Sequence, residues 1–142
     1  LMLLRNINEM DQDLKKKIWK KKMGSLLHGK TVGIIGYGKI GKHLNKLLKS
    51  FGAKVLINDI KFMKNNVALN TLLKSSEIIS ININLKNPKK ILDKPKLDLL
   101  KKNCILINTS RPEVIDYDYL YKILLKKFPD ANIIDVISKK KD

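Results

Sequence analysis

Cysteine, histidine, arginine and acidic residues are all scarce in this chain, and each shortage excludes something. A single cysteine, Cys104, permits no internal disulfide, which fits a reducing compartment and predicts a cytoplasmic protein. It lies in the apolar run "CILIN", where a thiol reads as a buried strand residue rather than a nucleophile. No apolar run approaches the roughly 20 residues that a membrane span needs, so no membrane role is expected. The first residues lack the charged, apolar and small-residue order of a signal peptide. Thirteen acids against 30 bases leave a net charge of +17, which invites a nucleic-acid reading. Yet only Arg5 and Arg111 are arginines, so the guanidinium fork that reads bases and phosphates is nearly missing. The lysines are spread over every segment as a chain-wide bias, and a nucleic-acid partner is not expected. Nor is a metal site.

What is present is a patterned globular chain. At 142 residues and 44% hydrophobic content, one core can form. "LMLLRNINEMDQDLKKKIW" spaces Leu3, Ile7, Met10, Leu14 and Ile18 by threes and fours, which predicts a helix. It starts in mid-pattern without a cap and without Met, which predicts a piece of a longer protein. "KTVGIIG", "AKVLIND", "EIISIN", "NCILINTS" and "ANIIDVI" read as five buried strands. Between them, "KIGKHLNKLLKSF" places Ile40, Leu44, Leu47, Leu48 and Phe51 on one helix face, and "NVALNTLLKSS" reads as a short helix. A further short helix is expected near Leu97 to Leu100, and "DYDYLYKILLKKF" reads as a helix capped by Asp116. Strands alternating with helices predict an α/β, doubly wound parallel sheet of Rossmann type with five or more strands.

Two phosphate-binding patterns overlap in "GSLLHGKTVGIIGYGKIG" (Gly24 to Gly41). Gly24 to Thr31 fits the triphosphatase loop G-x-x-x-x-G-K-[ST], but Lys30-Thr31 opens a strand where that loop must open a helix. Gly36 to Gly41 fits G-x-G-x-x-G, directly after a strand and at the head of a helix. Gly36 suits the tight turn, Gly38 the approach of backbone to a diphosphate, and Gly41 close helix–strand packing. Asp59 ends the next strand 18 positions after Gly41, where a carboxylate grips ribose hydroxyls and repels a 2′-phosphate, favouring NAD. Lys61 works against that preference.

These residues carry a resemblance. "GKTVGIIGYGKIGKHLNKLLKSFGAKVLINDI", with "LLKSSEIISININL", "KKNCILINTSR" and "ANIIDVI", resembles the cofactor domain of the D-isomer-specific 2-hydroxyacid dehydrogenases. The leader with its helix, Trp19 and loop is similar too, so the resemblance covers about residues 3 to 137. It implies residues 1–28 as an N-terminal helix and loop, a dimer arm, and 29–142 as the NAD-binding Rossmann domain. In the family a separate substrate-binding domain flanks this one in two halves, and both halves are expected to lie outside the 142 residues.

The resemblance also implies roles. Gly36, Gly38, Lys39, Ile40 and Gly41 would cradle the pyrophosphate. Asp59 and Ile60 would hold the adenosine ribose, and Asn82 and Ile83 would line the adenine and ribose pocket. Ser110 and Arg111 would lie near the nicotinamide and Asp135 would hold its carboxamide. Arg111 is also the catalytic residue expected, matching the arginine that binds substrate carboxylate and carbonyl, a task its bidentate fork suits. Trp19, set among six lysines in "KKKIWKKK", would be buried against a second copy in a homodimer. The departures are Asn82, Asn84 and Lys86, where the family usually has His, Pro and Thr, and Pro112 where it has Gly. The family's catalytic glutamate falls at Lys140, and its catalytic histidine lies beyond the last residue. His28 and His43 read as structural or solvated. Cofactor binding without turnover is therefore expected of this chain, as part of a 2-hydroxyacid dehydrogenase-like oxidoreductase. The alternatives are a non-enzymatic regulatory dinucleotide-binding module and a catalytically degenerate paralogue.

Overall fold

Strands that are apolar on both faces must be covered on both faces, and the structure meets that demand with two separate layers. It is a computed structural model that describes residues 1–61, 64–84, 90–127 and 132–135, with side chains as far as 124. The elements run α1 (Ile7–Lys15), β1 (Thr31–Ile35), α2 (Lys39–Ser50), β2 (Lys54–Asn58), α3 (Leu69–Ser75) and β3 (Ile78–Ile81). They continue with α4 (Lys94–Leu97), β4 (Ile105–Asn108), α5 (Tyr117–Lys127) and β5 (Asn132–Asp135). The strands lie in the order β2-β1-β3-β4-β5, and every neighbouring pair is parallel. Their final residues fall in one row across the sheet, Asn58, Ile35, Ile81, Asn108 and Asp135. Whatever follows those residues lies along a single edge.

Successive strand side chains point to opposite faces, and the two cores follow that period. Val32, Ile34, Ile78 and Ile105 turn toward α2 and the leader, where Leu48 is buried and Leu3, Leu4 and Leu27 pack. Ile35, Ile79, Ile81 and Leu106 turn the other way, against Leu72 and Leu73 of α3, Leu97 of α4 and Leu120 of α5. Leu72 and Leu73 are wholly buried; side chains of that size stabilise by about 1.5–3 kcal/mol each when taken out of water. Cys104 joins the second core, where burial pushes its thiol up to about 12. It is an inert, buried residue just before β4.

Three sequence expectations are corrected. The leader helix stops at Lys15 rather than continuing through Trp19. Lys17 adopts φ 59°, and the amides of Lys17 and Ile18 turn back to the carbonyls of Leu14 and Asp13, a Schellman termination with lysine in the place usually taken by glycine. The chain then returns along α1, tied by Lys22 to Glu9 and Asp13 and by the Ser25 amide to the Leu4 carbonyl. The buried side of α2 is Gly41, Asn45 and Leu48, while Ile40, Leu47 and Phe51 of the expected apolar face are exposed. The short helix lies at Lys94–Leu97, three residues earlier than expected, because the Asp93 side chain caps it and Pro95 sits in its first turn. Asp116 does cap α5, accepting from the Tyr119 amide at 3.3 Å.

Candidate functional site

The overlap of two phosphate patterns is resolved by where the chain changes direction. Thr31 begins β1, so the Gly24–Thr31 pattern presents no helix N-terminus to an anion. Gly36 follows β1 at once and α2 begins three residues later. In the strand order β2-β1-β3, β1 and β3 flank the point where the winding reverses, the crevice in which open α/β sheets bind ligands.

The three glycines of this turn are glycine for different reasons. Gly36 has φ 93°, and a Cβ there would lie 2.7 Å from the Asn82 carbonyl oxygen. A Cβ on Gly41 would fall on the Gly36 carbonyl oxygen, so this contact sets how closely α2 approaches the turn. At Gly38 a Cβ would meet nothing within 4 Å. The chain's own packing makes no demand for glycine there, while the space beside it is open to a ligand. Gly38 caps α2 with no side-chain hydrogen bond, and the first turn carries no acid. The first turn's amides and the positive end of the helix dipole therefore face that open space, an arrangement made for an anion. Lys39 and Ile40, both exposed, flank it.

Asp59 is bound into the same turn. Its Oδ2 accepts the Tyr37 amide at 2.6 Å and its Oδ1 accepts the Lys61 amide at 2.9 Å. Burial raises this acid, but the Lys61 and Tyr37 amides and the Lys61 charge outweigh it and hold the carboxyl below the usual range. The side chain is half-buried, and a carboxylate that accepts two amides keeps lone pairs for further donors. Ile60 beside it is 92% exposed. Tyr37 is anchored again through its phenol oxygen, which accepts the Asn45 side-chain amide at 2.7 Å.

The ends of β3 and β4 form the other lip. The Ile81 carbonyl accepts the hydroxyls of Thr109 and Ser110, each at 3.1 Å, and the Ile83 amide donates to Ser110 Oγ at 2.9 Å. Asn82 turns its amide toward Ser80 and accepts the Thr109 hydroxyl. Buried Asn108 closes the turn that presents Ser110 and Arg111. Its Oδ1 accepts the Ser110 amide at 3.0 Å and its Nδ2 donates to the Arg111 carbonyl at 3.1 Å. Arg111 is exposed and extended (φ −119°, ψ 142°), the geometry that a following proline requires, so Pro112 starts its 3₁₀ turn without strain. Asp135 ends β5 opposite Asn108; its side chain, like Lys86 and Lys140, lies outside the described residues. His28 and His43 are both exposed and stand outside this constellation.

The structure thus places Gly36, Gly38, Lys39, Ile40, Gly41, Asp59, Ile60, Asn82, Ile83, Ser110 and Arg111 just beyond the strand ends of one sheet edge. Sequence reasoning missed the residues that hold them: Tyr37, Asn45, Asn66, Asn108 and Thr109. None is a fixed position of a motif: Asn66, Asn108 and Thr109 pair side chains with backbone, Tyr37 gives its amide to Asp59, and Asn45 holds the Tyr37 phenol. A cleft of about 710 Å³ opens at the opposite end of the strands, between the leader and Lys30, Glu77 and Lys101. Asn6, the N-cap of α1, lines it, but none of the residues gathered at the other sheet edge does. Among the described residues no group of His, Cys, Asp and Glu is placed to hold a metal, and no helix is long and apolar enough to cross a membrane.

Residues 1–141 match the family model described as D-isomer specific 2-hydroxyacid dehydrogenase, NAD binding domain. The chain belongs to this family. Among curated relatives it is 43% identical over 116 residues to erythronate-4-phosphate dehydrogenase of Wigglesworthia glossinidia brevipalpis, covering 75% of this chain and 31% of that protein. It is 34% identical to glyoxylate reductase of Thermococcus litoralis, covering 98% of this chain and 47% of the relative. The chain therefore spans less than half of the length of either relative. The structure of a glycerate dehydrogenase related protein from Thermoplasma acidophilum superposes with a TM-score of 0.88 at 25% identity, over 99% of this chain and 52% of the other. In this NAD-binding domain α2 begins without a side-chain cap, the space beside Gly38 is open and the Asp59 carboxylate stands against the same turn.

Proposed function

We propose that the chain supplies the cofactor-binding part of an oxidoreductase that moves a hydride between NAD and a 2-hydroxy or 2-oxo acid. The observation that carries this reading is the gathering of the uncapped α2 turn, Asp59, Ser110 and Arg111 along one sheet edge. Bound NAD supplies or accepts the hydride. The chain's own residues bind and orient. Gly36, Gly38, Lys39, Ile40 and Gly41 hold the diphosphate, Asp59 and Ile60 the adenosine ribose, and Asn82 and Ile83 line the adenine and ribose pocket. Ser110 and Arg111 border the nicotinamide, and Asp135 takes its carboxamide. Arg111, its turn fixed by Asn108, pairs with the acid's carboxylate and polarises its carbonyl. A proton must accompany the hydride, and no Glu–His pair of this sequence occupies the place to move it. The 142-residue chain therefore binds NADH without turnover. Lys140, at the position of the family's glutamate, favours a second reading, a paralogue that keeps the cofactor site and has lost the reaction.

Fluorescence titration with NADH tests the binding. The wild-type chain saturates, and Asp59→Ala weakens binding by about 1.5–3 kcal/mol, the range for hydrogen bonds to a charged group. The acid is ionised above its depressed pKa, so the affinity stays level through neutral pH and falls only as pH drops below the ordinary carboxylate range. A folded sample that fails to bind, or an unchanged Asp59→Ala variant, contradicts the assignment.

The leader is read as a dimer arm. α1 buries none of its residues, and Trp19, at the far end of the returning chain, is 89% exposed. Exposed tryptophan flanked by lysine stems suits an interface whose charges stay wet. Sedimentation equilibrium is expected to give a dimer that Trp19→Ala loosens; a monomeric wild-type chain rejects the arm. The lone, inert Cys104 supports a cytoplasmic setting.

A further inference from the structure

Asp59 is the side chain that would separate NAD from NADP, yet it stands on a short connection beyond the edge strand β2, where nothing in the sheet holds it. The structure supplies a clasp. Asn66 Oδ1 accepts the Asp59 amide at 2.9 Å, and Asn66 Nδ2 donates to the Asp59 carbonyl at 3.0 Å. One side-chain amide thus pairs with both backbone polar groups of the acid. The clasp is itself anchored to β2. Asn66 bridges to Ile57, the Val67 amide donates to the Ile57 carbonyl at 2.8 Å, and Asn58 Nδ2 donates to the Val67 carbonyl at 2.8 Å.

We infer that Asn66 is a positioning residue that sets the choice between the two nicotinamide dinucleotides by holding the Asp59 backbone so that its carboxylate stays against the glycine-rich turn. This rests on reading Asp59 as the acid that grips the ribose. With the backbone clasped, the carboxylate accepts the Tyr37 amide and blocks a 2′-phosphate by like charge. With the clasp removed, the 59–61 stretch relaxes, the carboxylate leaves the turn, and Lys61 on the same stretch remains as a cation suited to that phosphate. Asn66 is exposed, so its loss removes the two bonds without opening the core.

The test titrates the 142-residue chain with NADH and with NADPH, for wild type, Asn66→Ala and Asp59→Ala, with a melting curve for each. In Asn66→Ala, NADH binding is expected to weaken about fivefold to tenfold, as for loss of one or two hydrogen bonds, while NADPH binding weakens by less than about twofold, so the preference narrows. Asn66→Ser, whose hydroxyl can replace one of the bonds, falls between and serves the same purpose if the alanine variant does not fold. A merely structural role would weaken both nucleotides by the same factor, and that result, or no change in either, overturns the inference. A different result marks failure of the underlying reading: wild type without preference for NADH, or a preference that survives in Asp59→Ala.

Discussion

Gly38→Ala is expected to leave the chain folded and to weaken NADH binding by roughly 10- to 100-fold. The two halves of that expectation come from one geometric fact. A methyl group at Gly38 meets no atom of the protein within 4 Å, and the residue's φ of −73° is open to alanine, so neither packing nor backbone opposes the substitution. The same methyl enters the space that the uncapped amides of α2 face, where it holds the diphosphate oxygens off. Losing one charge-assisted hydrogen bond costs about 1.5–3 kcal/mol, or about one to two powers of ten in affinity. NADH titration with a parallel melting curve checks both halves. An unfolded variant, or one that binds as wild type does, contradicts the account.

Gly41→Ala is expected to do the reverse and damage the fold itself. Its Cβ would lie on the Gly36 carbonyl oxygen. Both atoms belong to backbone, one in α2 and the other in a turn whose own glycine is held at φ 93° against Asn82. Neither side can swing away as a flexible side chain would. Overpacking of this kind costs about 1–3 kcal/mol, and for a domain of this size each kcal/mol lowers the melting point by roughly 2–4 °C. Thermal unfolding followed by circular dichroism is expected to show a midpoint lower by several degrees. A midpoint equal to that of Gly38→Ala would mean that the two glycines do not divide the work as described.

The sheet was legible because its signal is redundant. Each strand is apolar on both faces and each is bounded by glycine or polar residues, so Val32 and Ile34 could be assigned to one core and Ile35 to the other only by their alternation. The glycine triplet and Asp59 were legible because backbone geometry leaves few alternatives to glycine at a turn and because the acid sits where a strand ends. The face of α2 was not. A count of apolar residues puts Ile40, Leu47 and Phe51 inward, but the close approach at Gly41 fixes the helix rotation, and positions 41, 45 and 48 turn inward with it. Buried Asn45 gives its Nδ2 to the Tyr37 phenol, while its Oδ1 finds no partner among the described residues. Asn66 and Asn108 were invisible for a related reason. Their work is to replace missing backbone partners, and in a chain so rich in asparagine nothing in the sequence separates a residue doing that from a solvated one. The lysine in left-handed conformation at position 17 likewise ends a helix that the apolar spacing would have extended to Trp19.

Amide chemical shifts followed during titration of the isotope-labelled chain with NADH test the central assignment most directly. The expected result is that the largest changes fall on Gly38, Lys39, Ile40 and Gly41, followed by Asp59 and Ser110, while Lys30, Glu77 and Lys101 around the opposite cleft stay still. Changes concentrated at that cleft, with the first turn of α2 unmoved, would place the dinucleotide at the wrong end of the sheet and end the account.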